Sequence, residues 1–133
     1  MIKLILSLFF FGAFFSNSAK LEVTVKDIQV GKGNIVVEIY DNKENFFKKP
    51  FDTKTVKASD QTLDFSFDIP DGVYVVAVYQ DINENKELDK GWFNIPKEPY
   101  GLSNNYRPRF SAPTFDDCKF KVTKQTNITI ILK

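Results

Sequence analysis

Histidine is absent from this 133-residue chain. Ser-His-Asp and Cys-His catalysis and histidine-ligated zinc are therefore excluded at the outset. Cysteine is nearly absent: Cys118 stands alone, so an intramolecular disulfide is impossible. No P-loop or dinucleotide-binding fingerprint occurs. Arginine is scarce as well, with only Arg107 and Arg109 among 18 basic residues. The longest apolar run, Leu4 to Phe15, has twelve residues, whereas a membrane-spanning helix needs about 20. No transmembrane anchor is expected.

That short run does have the makings of a secretory leader. In MIKLILSLFFFGAFFSNSA, Lys3 supplies the charged start, residues 4–15 the apolar middle, and Ser16, Ser18 and Ala19 the small residues of a cleavage site. Residues 1–19 are expected to be the leader and residues 20–133 one mature domain, secreted or periplasmic. The cut is not fixed to the residue, because Asn17 fits poorly at the third position before a cut after Ala19. Losing the leader takes one lysine from the 18 basic residues and nothing from the 17 acidic ones. The mature chain is then formally neutral and has no global field to draw in nucleic acid. No cysteine lies just after the leader to accept a lipid. Without a disulfide, core packing must hold a small exported domain together. Cys118 alternates with Phe120 and Val122 and reads as a core residue.

What the chain has in quantity is two-residue alternation. Leu21, Val23 and Val25 alternate with polar neighbours, and Gly31-Lys-Gly33 separates them from Ile35, Val37 and Ile39. Leu63, Phe65, Phe67 and Ile69 alternate with Asp64, Ser66 and Asp68, the mark of a strand with one wet face. Pro70-Asp-Gly72 makes a turn, and Val73 to Tyr79 is apolar on both sides, as a central strand covered on both faces would be. Phe120 and Val122, then Ile128, Ile130 and Leu132, repeat the rhythm, and Thr53 to Ala58 adds a weaker segment. The pattern predicts an all-β fold: a single antiparallel β-sandwich of about seven strands with one long crossover loop.

Two stretches break the rhythm. DNKENFFKKPFD, residues 41–52, is polar but carries Phe46, Phe47 and Phe51, which are expected to pin it to the sandwich. Residues 81–117 form the long connection, a length that marks either function or hidden structure. Its first part sets Asp81, Asn83, Asn85, Glu87 and Asp89 at every second position. Alternating oxygen donors of this kind can fold around calcium, which takes six to eight oxygens in flexible geometry. Lys86 and Trp92 stand where an EF-hand loop would have glycine and its bidentate glutamate. The other reading is a run of Asx turns, in which these side chains bond their own backbone.

Further on, Arg107 and Arg109 sit among Tyr100, Asn104, Asn105 and Tyr106. A planar guanidinium suits carboxylate, phosphate or sugar hydroxyls, so this stretch is a candidate ligand site. The alternative is internal: the arginines pair with Glu98, Asp116 or Asp117 and lock the connection down.

The run YVVAVYQDINENKELDKGWFNIPKEPYGLSNNYRPRFSAPTFDDCKF, residues 74–120, resembles the exported bacterial family known as domain of unknown function 2141. The match consists of a Tyr-rich strand followed by D-x-N-x-N-x-x-L-D, an I-P-K-E-x-Y-G-x-S-N-N stretch, and an arginine-containing segment ending in Pro-x-F. The resemblance implies a transthyretin-like β-sandwich outside the cytoplasm and brings no activity with it. Relatives commonly place glycine where this chain has Lys86.

Three readings follow. The first is a non-enzymatic binding or accessory module of the cell envelope, acting on an envelope protein or carbohydrate and stabilised by calcium if the acidic loop binds it. The second is a small extracytoplasmic enzyme acting on carbohydrate or another envelope substrate through loop carboxylates, with Arg107 or Arg109 as an electrostatic clamp. The third is a structural domain that binds a partner through an exposed sheet edge.

Overall fold

A computed structural model of the protein describes residues 18–88 and 97–133. The body of the expected leader, Asp89 and Trp92 lie outside those residues. Eight strands are present among the described residues: β1 (Ser18–Lys26), β2 (Asn34–Tyr40), β3 (Asp52–Lys57), β4 (Leu63–Pro70), β5 (Gly72–Asp81), β6 (Tyr100–Leu102), β7 (Phe120–Val122) and β8 (Gln125–Ile131). A 3-10 turn, Ser103–Asn105, and a one-turn helix α1, Phe115–Cys118, interrupt the later strands. β1 opens at Ser18, so the last two residues of the expected leader belong to the sheet.

The strands form two layers. One sheet has the order β4-β1-β8, and the other β3-β2-β5-β6, with β7 pairing the start of β5. β8 runs parallel to β1, with Leu21 opposite Thr126 and Val25 opposite Ile130. The sandwich is therefore mixed rather than wholly antiparallel. Alternation assigns faces to a strand but carries no information about its direction.

Between the layers lies the main core. Leu21, Val23, Val25, Phe65, Phe67, Ile69 and Ile130 from the first sheet meet Ile35, Val37, Ile39, Val76 and Val78 from the second, all buried. At about 25 cal/mol per Å² of apolar surface, residues of this size stabilise by roughly 1.5–3 kcal/mol each when fully buried. A second, smaller cluster lies on the outer face of the five-stranded sheet. Tyr40, Val75, Ala77 and Leu102 are covered there by Phe115 and Cys118 of α1 together with Phe46, Tyr100 and Tyr106. This second cluster explains why β5 is apolar on both faces. Cys118 is buried as expected, but it sits on a helix and not on a strand.

The two long sides of the sandwich close differently. On one side Tyr100 and Lys133 exchange both backbone hydrogen bonds at 3.2 Å, tying β6 to the end of β8. Gly101 permits that approach, since an added Cβ would lie 2.4 Å from Cγ2 of Ile130. On the other side β3 and β4 are edge strands, latched by Lys54, whose ammonium donates to the Ser66 carbonyl and lies 4.7 Å from the Phe67 ring centroid. β3 is exposed along nearly its whole length and carries Lys54 and Lys57, a composition that discourages pairing with a second chain.

Candidate functional site

The acidic loop starts where β5 ends. Asp81 is 1% exposed, and its two carboxylate oxygens accept the amides of Asn85 at 3.2 Å and Lys86 at 2.7 Å. Asn83 accepts from the Asn85 amide at 3.3 Å, and Asn85 from the Glu87 amide at 2.9 Å. From the far end of the loop Glu98, also buried, accepts the Ile82 amide at 2.7 Å. The Tyr79 hydroxyl donates to the Lys86 carbonyl at 3.1 Å. These are the bonds of successive Asx turns, in which the carboxylate oxygens serve backbone amides. Lys86 takes a glycine-like backbone, at φ 63°, a conformation that costs an ordinary residue about 1–2 kcal/mol. Gly33 abuts the loop base so closely that an added Cβ would lie 2.0 Å from the Asp81 carbonyl oxygen. Of the five expected metal-site residues, Asp81, Asn83, Asn85 and Glu87 share this turn, and Asp89 lies outside the described residues. No group of three or more acidic or sulfur ligands suited to a metal is found among the described residues.

The arginine and tyrosine stretch is built into the sandwich edge. Asn105 donates from Nδ2 to the Thr129 carbonyl at 3.1 Å and accepts the Ile131 amide on Oδ1 at 3.0 Å. It thus copies the pairing of a strand residue along the outer edge of β8. Its φ of 48°, together with 63° at Asn104, turns the chain to permit this. Asn104 donates to the Lys119 carbonyl at 3.0 Å. Arg107 donates to the Tyr100 carbonyl at 2.7 Å, and its guanidinium stacks over the Tyr100 ring at 4.4 Å. Arg107 is therefore engaged internally, but with main-chain carbonyls and an aromatic face rather than the expected carboxylates. Asp116 pairs instead with Lys43 at 2.7 Å and Lys119 at 3.1 Å. Asp117 closes a capping box with Thr114 at the start of α1. Arg109 and Phe110 are exposed.

A polar constellation that the sequence reading missed lies on the outer face of the five-stranded sheet. Val36, Glu38 and Tyr40 share one side of β2, since their neighbours Ile35, Val37 and Ile39 point into the core. The Tyr40 hydroxyl donates to Oε2 of Glu38 at 2.5 Å. Tyr79 stands opposite Val36 and so is diagonal to Glu38, while Tyr100 stands opposite Tyr79 on β6. Burial, then the bond to Glu38 and its charge, push the Tyr40 phenol far above its ordinary range. Burial, then the charge of Glu38, push Tyr79 up to about 12. Both phenols stay neutral donors across the physiological range. The signal was present as a glutamate on an otherwise apolar outer face of a strand, a position where a carboxylate needs a partner.

An aromatic ridge borders this face. Phe46 meets Tyr40 edge-on at 5.4 Å and Phe115 at 6.0 Å, while Phe47 stacks on Phe46 at 4.0 Å. Phe46 thus pins the 41–52 connection as expected. Phe47 does less of that: it is 51% exposed and its backbone is left-handed at φ 58°, a strained choice for a bulky residue. Phe51 packs on Tyr74 from the neighbouring corner, at 5.9 Å.

The profile of a family described as an uncharacterised protein conserved in bacteria, domain of unknown function 2141, matches residues 23–130. The chain belongs to that family. Comparison with curated proteins and with solved structures finds no match.

Proposed function

We propose that this family member is an exported, non-enzymatic binding module of the bacterial cell envelope, and that it takes carbohydrate on the outer face of its five-stranded sheet. The observation that carries this reading is Glu38, half-buried, oriented by the Tyr40 hydroxyl and set among aromatic rings. A fixed carboxylate accepts hydrogen bonds from sugar hydroxyls; Tyr40 and Tyr79 are buried, so contact with the apolar C–H face of a pyranose falls to the exposed ring of Phe47. Tyr100 under the Arg107 guanidinium extends the row across β6, and Phe47 offers an exposed ring at the other end. Two of the residues singled out from the sequence, Tyr100 and Arg107, therefore border the proposed surface, while Asn104 and Asn105 hold the chain to Lys119 and to the edge of β8.

The enzyme reading has less behind it. The carboxylates it would use serve structure: Asp81 and Glu98 accept backbone amides, and Asp116 holds two lysines. Arg107 faces carbonyls and an aromatic ring in place of a clamped anion.

The test is binding of the mature protein to isolated peptidoglycan and to purified cell-envelope polysaccharide, measured by co-sedimentation and calorimetry. Glu38→Gln removes the charge from the central acceptor and should weaken binding about tenfold, equivalent to about 1.4 kcal/mol. Tyr40→Phe, which frees Glu38 from its holder, should weaken it by a smaller factor. Retention of neither glycan, or unchanged binding by Glu38→Gln, overturns the proposal.

A further inference from the structure

We infer that the leader is removed by hydrolysis of the Ser18–Ala19 bond, leaving Ala19 as the first residue of the mature protein. The inference rests on the export reading and adds to it the position of the processing site. Two independent observations meet there.

The first is structural. Ala19 is 2% exposed and belongs to the core between the sheets. It stands opposite Ile69 on β4, and the next residue, Lys20, donates its amide to the Lys124 carbonyl at 2.7 Å. Ser18 is exposed and stands opposite Pro70, which has no amide hydrogen to donate. A cut after Ala19 would delete a core side chain and its rung of the β1–β4 ladder. A cut after Ser18 takes only one exposed residue from β1 and leaves the core whole.

The second is in the leader itself. Leader peptidases read small side chains at the first and third positions before the cut. A cut after Ser18 sets Ser18 and Ser16 there, both small. A cut after Ala19 sets Ala19 and Asn17 there, and the asparagine is the poorer fit. Burial and peptidase preference thus select the same bond.

In the hydrolysis, the oxygen of water adds to the Ser18 carbonyl carbon and the bond to the Ala19 nitrogen breaks. Both protons of the water pass to that nitrogen, giving a Ser18 carboxylate and an Ala19 ammonium with no change of oxidation state. Because the bond lies within β1 of the folded domain, it is cut on the extended chain before the sandwich closes.

The test is the intact mass of the exported protein after expression of the full chain in a bacterial host. The expected mass is that of residues 19–133. Ser16→Leu, which places a bulky residue at the third position before the Ser18 cut, should make the precursor accumulate. Asn17→Leu, which spoils only the alternative cut, should leave processing intact. A mature mass corresponding to residues 20–133, or the reverse response of the two variants, overturns the inference while leaving export standing. An uncut wild-type chain confined to the cytoplasm overturns the export reading, and this inference with it.

Discussion

Replacing Asn105 separates a structural role for the arginine and tyrosine stretch from a ligand-contacting one. Its side chain makes two hydrogen bonds with the edge of β8, to the Thr129 carbonyl and from the Ile131 amide. Each such bond is worth about 0.5–1.5 kcal/mol, and their exposure favours the lower half of that range. Losing both should cost about 1–2 kcal/mol. Asn105→Gly isolates this loss, because glycine accepts the φ of 48° without strain, and that relief offsets the roughly 0.5–1 kcal/mol that glycine's chain entropy costs. Asn105→Ala should be worse by about 1 kcal/mol, since alanine resists the left-handed backbone. At about 4 °C per kcal/mol for a domain of this size, the glycine variant should melt about 4–8 °C below the native protein. Asn105→Asp should fall between, because it keeps the acceptor for Ile131 while setting a carboxylate oxygen against the Thr129 carbonyl. The assay is thermal unfolding followed by circular dichroism, with light scattering to detect self-association through the uncovered edge of β8. A glycine variant melting within a degree of the native protein would refute the claim that this side chain holds the edge.

Two further perturbations address the remaining polar features. Asp81→Ala strips the acceptor from the Asn85 and Lys86 amides, and should cost about 3 kcal/mol at charge-assisted values of about 1.5–3 kcal/mol per bond. An Asx-built turn loses the same amount in EDTA and in calcium, whereas a loss confined to the calcium-containing buffer would identify the loop as a metal site. Asp117 is held below the usual carboxylate range, first by its bond from the Thr114 amide, then by the Thr114 and Tyr106 hydroxyls. A depressed folded value makes its contribution complete above the unfolded-chain carboxylate range of about 4, and lost as pH falls through the lower folded value. Asp117→Asn should therefore melt below the native protein at neutral pH, with the gap closing on acidification below about pH 4. A gap that is constant from pH 7 to pH 2 would refute the assignment.

The strands were legible because their signal is local. Each inward row, such as Phe65, Phe67 and Ile69 or Val23 and Val25, is a period-two pattern that one segment displays unaided. β6 was not legible for the same reason: Tyr100, Gly101 and Leu102 make too short a run for alternation to register. What makes them a strand is their position opposite Tyr79, Val78 and Ala77 and the closeness to Ile130 that Gly101 allows. Strand direction failed likewise, since nothing within β8 records that its neighbour β1 runs the same way.

The candidate site divides along the same line. The acidic loop was visible as a composition, but composition alone left two partners open for Asp81, a cation or a set of backbone amides. Its bonds depend on the left-handed turns at Glu84 and Lys86, which the letters do not announce. Glu38, by contrast, drew no attention because its partners come from registration. Tyr40 is two residues away in sequence, while Tyr79 comes diagonal to Glu38, and Tyr100 beside Tyr79, only when β2, β5 and β6 lie side by side. A surface assembled from three strands is written one residue at a time in three places. In this protein the conspicuous stretch around Arg107 and Asn105 stabilises the edge of the sandwich, and the lone glutamate on β2 is left facing outward with a fixed orientation. That division of labour makes Glu38, rather than the arginines, the first position at which to look for loss of binding without loss of fold.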